Sequence, residues 1–206
     1  MKKPKPMFAA ALAVLLAALM TGCAVVVGPS PEPRGPVLTD GYSTLDAEGV
    51  AQIKATRSLR LDMRSGILTK ASVGLRDDDA GQYVSTNDER TIDISIDGPD
   101  GTVTGSSDTV GFNTVGDQPD YSEVTYFLTA GSLGEYVTLI RDGVDRYGID
   151  GENAEAWIDS ISDDPDRTSN YALGPGTATG LDVTYDLRYD GGDETQVVIV
   201  HVNAST

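Results

Sequence analysis

Leu181-Asp-Val-Thr-Tyr-Asp-Leu-Arg-Tyr189 alternates apolar and polar side chains without a fault, and after Asp190-Gly-Gly-Asp193 the chain resumes with Val197-Val-Ile-Val-His-Val202. Strict alternation is the period of a strand with one face buried and one in water. A turn with two glycines between two such runs reads as a hairpin, so the last third of the chain predicts two neighbouring antiparallel strands. The second run, from Thr195 to Asn203, is apolar on both faces. That predicts a central strand, covered on both sides for much of its length.

Two helical patterns precede the hairpin. Ser132 stands three residues before Glu135, and Leu133, Tyr136, Val137, Ile140, Val144 and Tyr147 form one stripe that stops at Gly148. This is a capped amphipathic helix over 132–147, ended by a residue suited to a left-handed C-terminal position. Ala154, Trp157, Ile158 and Ile161 give a second helix over 152–163, between Asp150-Gly151 and Asp163-Asp-Pro165. So short a link favours a helix pair packed together on one sheet face.

Earlier in the chain the signals are mixed. Ile92, Ile94 and Ile96 alternate with Asp93, Ser95 and Asp97, a half-buried strand over 91–97 that Asp97-Gly-Pro-Asp-Gly101 must turn. Residues 105–120 hold Gly, Ser, Asp, Asn and Thr with Val110, Phe112 and Val115 as apolar anchors, which predicts a mobile loop, and Val124, Tyr126 and Leu128 mark a short strand after it. Ser43-Thr-Leu-Asp46 has the form of a capping box for a first helix over 44–56, carrying Ala47, Val50, Ala51 and Ile53. Leu59, Leu61 and Met63 alternate with Arg60, Asp62 and Arg64, and Ile67, Ala71, Val73 and Leu75 continue beyond Ser65-Gly66. This predicts a hairpin, closed by the charged turn Arg76-Asp-Asp-Asp-Ala-Gly81.

No repeat of fixed period and no second boundary interrupts this pattern. Hairpin links in place of regular βαβ units predict an α+β fold, an antiparallel β-sheet with a helix pair packed on one face, as a single domain over 41–206.

The N-terminus has a different grammar. Lys2, Lys3 and Lys5 precede the apolar run Phe8 to Met20, the pattern of a secretory signal peptide. Thirteen residues are too few to span a bilayer, which takes about 20 in a helix. The run ends in Met20-Thr21-Gly22-Cys23. With Leu19 ahead of it, this tetrad resembles the lipobox of bacterial lipoproteins, although Met20 stands where leucine is usual. The resemblance implies that residues 1–22 are removed and that Cys23 becomes the N-terminus, carrying a diacylglycerol thioether. It places the protein at the cell membrane, lipid-anchored and facing the extracytoplasmic side. One acyl chain holds a protein only marginally, and two or more anchor it stably. Pro29, Pro31, Pro33 and Pro36 follow, so residues 23–40 read as a Pro-rich tether of polyproline II character, rising about 3.1 Å per residue.

Charge narrows the partners. The removed segment holds three of the 15 Lys and Arg and none of the 32 Asp and Glu, leaving 12 against 32, a formal charge of −20. Nucleic acid and anionic headgroups both demand basic patches, so neither is an expected partner. Cys23 is the single cysteine, which leaves no intramolecular disulfide to form.

Chemistry-bearing patterns are sparse. His201 is the single histidine, set among valines with no acid or hydroxyl beside it in sequence, and reads as a structural or edge-exposed residue. Zinc sites draw on Cys and His, one each here, with the cysteine assigned to lipid. No stretch matches an EF-hand loop: Asp142, Asp145 and Asp150 straddle a helix terminus, and Asp77-Asp78-Asp79 and Asp163, Asp164 and Asp166 are turn clusters. Gly174-Pro-Gly176 lacks the lysine and helix of a phosphate loop. Paired carboxylates can hydrolyse glycosides, but Asp120 and Glu123 beside Tyr121 are not distinguished from the other acids. At least four of the nine tyrosines fall at core-facing positions.

No catalytic residue, metal or cofactor is therefore expected. The reading is a membrane-anchored, non-enzymatic binding or accessory module, held through acyl chains on Cys23 and facing an envelope protein or cell-wall partner. The alternatives are a carrier of an apolar or lipid ligand and a carboxylate-dependent hydrolase.

Overall fold

The computed structural model describes residues 41–86, 88, 90–114 and 118–205, all within the unit Pro33–Thr206. Helix α1 (Ala47–Thr56) leads to strand β1 (Ser58–Asp62), the short β2 (Leu68–Thr69) and a 3-10 turn at Ala71–Val73. Strands β3 (Gln82–Ser85), β4 (Ile92–Asp97), β5 (Thr102–Ser107), β6 (Thr109–Asn113), β7 (Asp120–Tyr121) and β8 (Glu123–Ala130) follow. Helices α2 (Leu133–Tyr147) and α3 (Gly151–Asp163) come next, and β9 (Thr168–Gly176), β10 (Leu181–Asp190) and β11 (Gln196–Ala204) close the chain.

The expected α+β architecture is present. Its largest layer is a six-stranded sheet in the order β3-β6-β8-β11-β10-β9, antiparallel throughout. The faultless alternation of 181–189 has its physical cause here, since Leu181, Val183, Tyr185, Leu187 and Tyr189 are all buried. One register row, Leu173, Tyr185, Val200, Tyr126, Val110 and Val84, crosses all six strands with no member more than 1% exposed.

Both long helices contact the buried rings of β10. The Tyr136 ring of α2 stacks on Tyr189 at 5.9 Å and meets Trp157 of α3 edge-on at 5.9 Å, while its hydroxyl donates to the carbonyl of Val197. Gly143 permits a close approach of α2 to β10, because a Cβ there would collide with the Tyr185 ring. Ser132 caps α2 by accepting from the Glu135 amide, and Gly148 ends it at φ 73°. Strand β5 is tied to α2: the Tyr147 hydroxyl donates to the Thr104 carbonyl at 2.9 Å and accepts from its amide at 3.1 Å.

Elsewhere the sequence reading needs correction. The hairpin expected after Leu59 does not form. β1 instead lies parallel to β4, with Leu59 beside Ile94 and Leu61 beside Ile96, and β5 completes a three-stranded sheet in the order β1-β4-β5. Two strongly alternating strands bury more by pairing with each other than β1 gains from the weak run after Gly66, whose residues supply only β2, the 3-10 turn and a loop. β2 pairs with β7 in a short ribbon. The mobile loop expected over 105–120 is largely strand, because its small polar residues pack against large partners: the Tyr126 ring fills the space over Gly105. Residues 115–117 lie outside the described residues. β9 had no counterpart in the sequence reading, its alternation being broken by Gly174-Pro-Gly176.

Two smaller differences concern caps and coverage. Asp46, and not Ser43, caps α1 by accepting from Gly49, so the helix starts at Ala47; Ser43 accepts from the Arg60 amide. β11 is central, between β8 and β10, as expected, but its second face is only partly covered: Val197, Ile199 and His201 are half-buried.

Candidate functional site

The less covered face of the six-stranded sheet holds the most developed polar constellation. Register places Gly111, Thr125, His201 and Thr184 in one row on β6, β8, β11 and β10. Glu123, two residues before Thr125 on the same face of β8, sits diagonally from His201. His201 Nδ1 donates to Glu123 Oε2 at 2.9 Å. The other carboxylate oxygen, Oε1, accepts from Thr125 Oγ1 at 2.7 Å and from Asn113 Nδ2 at 2.8 Å. Three strands thus fix one carboxylate, whose side chain is 25% exposed.

Partial burial pushes the Glu123 carboxyl up, but hydrogen bonds from Thr125 and Asn113 and the His201 ring outweigh it and hold the group below the usual carboxylate range. An ionised carboxylate only accepts, so a neutral His201 carries its proton on Nδ1 and turns the Nε2 lone pair outward; when protonated, Nε2 becomes a donor. Orientation of a histidine by a carboxylate is the second-layer arrangement of bases and metal ligands alike. Among the described residues, no group of three or more His, Cys, Asp or Glu is placed to hold a metal ion.

A second cluster lies where the chain enters the described region. The Tyr42 ring carries the guanidinium carbons of Arg60 at 4.8 Å and Arg64 at 5.4 Å, and its hydroxyl donates to Asp97 Oδ2 at 2.8 Å. Arg60 donates to the same oxygen, and Thr102 to Oδ1. Burial raises the Asp97 carboxyl, and the bonds from Tyr42, Arg60 and Thr102 bring it below its ordinary value. This cluster is structural in form, fastening residue 42 to β1, β4 and β5.

The acidic turn Arg76–Gly81 is pinned from beneath. Lys70, 1% exposed, donates from Nζ to the Asp77 carbonyl at 2.8 Å. Beside the same ribbon the Tyr121 hydroxyl is pushed up to about 12 by burial, with Asp79 adding to the effect. Asp150 is the N-cap of α3, and Asp142 pairs with Arg146, as their helix-terminus reading expects.

No protein-family model, no curated protein and no solved structure matches the chain.

The site expected from sequence, Met20, Thr21, Gly22 and Cys23, lies outside the described residues, as does the tether through residue 40. Among the described residues, no helix is long and apolar enough to cross a membrane. Of the two readings of His201, the edge-exposed one fails, since it lies on a central strand, and the partner that its sequence neighbours lacked is the Glu123 carboxylate. Asn113 and Thr125 carry no signal of a site in the sequence, and Glu123 reads there like the other acids. Alternation alone puts Glu123 and Thr125 opposite buried Val124 and Tyr126, but only register brings them to His201.

Proposed function

We propose that this protein is a lipid-anchored extracytoplasmic binding module of the cell envelope, without catalytic activity of its own. The observation that carries the reading is Met20-Thr21-Gly22-Cys23 at the end of a basic, then apolar, leader. Acyl chains on Cys23 hold the protein at the membrane, and the Pro-rich segment to Pro36 raises the domain on the order of 40 Å above it. At a formal charge of −20 the exposed domain is soluble and repels nucleic acid and anionic lipid, leaving an envelope protein or a cell-wall component as partner.

The arrangement around His201 supports binding over catalysis. Acyl transfer requires a hydroxyl that gives its proton to the base. Thr125, directly across the strand pair, gives its proton to Glu123 instead.

Membrane fractionation with intact-mass analysis tests the anchor. The native protein is expected in the membrane fraction with a diacylglyceryl group on Cys23, and Cys23→Ser in the soluble fraction. An unacylated, soluble native protein overturns the reading. So does hydrolysis of an ester, peptide or glycoside that Glu123→Gln or His201→Ala abolishes without unfolding the domain.

A further inference from the structure

We infer that the open sheet face centred on His201 is a binding site for a neutral glycan chain. The inference rests on the envelope-module reading, which puts this face within reach of cell-wall polymer. The row begins at Tyr83 on β3 and runs through Gly111, Thr125 and His201 to Thr184 on β10. Four interstrand steps make it about 19 Å long. Tyr83 is 68% exposed, the most exposed of the large hydrophobic side chains in the described residues. Its ring lies against Gly111, where a Cβ would come within 2.8 Å of Cε1, and most of the side chain remains open to solvent. Beside this row runs an apolar one, Phe127 and Ile199, in register and half-buried.

Charge selects the class of ligand. An anionic polymer is repelled by the surplus of acidic side chains over the whole chain. Of the carboxylates on this face, Glu123 is bonded by Asn113, Thr125 and His201 and Asp186 pairs with Arg188, while Asp182 accepts from Ser205 and keeps its charge at one end of β10, off the row itself. What the row presents is neutral: an aromatic face, an imidazole nitrogen and hydroxyls. Among the described residues, no hydrogen bond engages His201 Nε2, the Thr184 hydroxyl or the Tyr83 hydroxyl. A pyranose is amphipathic in the matching way. Its C–H face packs on Tyr83 and on the Phe127–Ile199 row, while its hydroxyl and N-acetyl groups exchange hydrogen bonds with His201 and Thr184.

One histidine in the chain means that imidazole NMR signals report on His201 alone. The full-length acylated protein in detergent micelles is titrated with chitotetraose, a neutral tetramer of N-acetylglucosamine. A saturable shift of the His201 ring signals is expected, with a Kd of about 1 mM or tighter, and Tyr83→Ala weakens it at least tenfold with an unchanged amide spectrum. No shift up to about 10 mM ligand, or equal affinity in Tyr83→Ala, overturns the inference. Saturation of the same signals by oligolysine or polyglycerol phosphate, but not by chitotetraose, assigns the face to a charged polymer and overturns it too. Membrane release of Cys23→Ser is read separately, so lost glycan binding leaves the anchor standing.

Discussion

Glu123 and His201, 78 residues apart in the chain, stand diagonally on adjacent strands with Nδ1 donating to Oε2 at 2.9 Å. The carboxylate is simultaneously bonded by Asn113 and Thr125, so removing its charge disturbs three partners. Because these bonds hold Glu123 below its ordinary 4.5, the unfolded chain binds more protons than the native one around that pH. The stabilisation it supplies is complete above the unfolded value and is lost as pH falls through the depressed native value. Urea midpoints are expected to fall between about pH 7 and about pH 3, and Glu123→Gln to lower the neutral value by about 1 kcal/mol while flattening the fall. Asp62, Asp97 and Asp150 are depressed as well, so part of the slope survives. Identical slopes in variant and native protein would falsify this role.

Tyr136 is a fully buried joint between α2, α3 and β10. Tyr136→Phe keeps the ring contacts and leaves the Val197 carbonyl without its hydroxyl donor, for an expected loss of about 1 kcal/mol. Tyr136→Ala adds a cavity and is expected to cost about 3–5 kcal/mol. Equal losses for the two variants in denaturant titration would mean that the ring packing contributes little.

Gly143→Ala opposes two effects. Alanine favours an α-helix over glycine by about 1 kcal/mol, but here its Cβ runs into Tyr185. Overpacking is expected to win, with a net destabilisation of about 1–3 kcal/mol and an unchanged m-value. A stabilised variant would show that α2 can lift from β10 at little cost.

Tyr42→Phe removes one of the donors that depress Asp97. The Asp97 carboxyl, followed by carbon-13 NMR, is expected to titrate at higher pH than in the native protein. Amide exchange of Ser43, which bonds the Arg60 carbonyl, is expected to quicken as the entry of the chain loosens. An unmoved Asp97 titration would assign its depression to Arg60 and Thr102 alone.

Local pattern was enough wherever the partner of an element is a neighbour in sequence or the element carries its own caps. The faultless run 181–189, the turn at Asp190-Gly-Gly-Asp193, the capped α2 and the isoleucine strand 92–97 all stand as read, because period and caps are short-range properties. The resemblance of Met20-Thr21-Gly22-Cys23 to a lipobox is likewise a local signal, and it is sequence alone that speaks for it.

Long-range competition decided the rest. Whether β1 folds back as a hairpin or lies parallel to β4 depends on which partner buries more, and Leu59 alternates identically in either case. β5 carries a single apolar side chain, Val103, and β6 only the short alternation of Val110 and Phe112, too little to declare a strand, because rings from other segments, Tyr126 on Gly105 and Tyr83 on Gly111, fill the space over their glycines. The difference between the sheet's two faces is hidden in β11, where apolar residues alternate with apolar residues. The Glu123–His201 pair exists only because strands far apart in sequence settle in one register, and register is a property of the whole sheet, not of any strand within it.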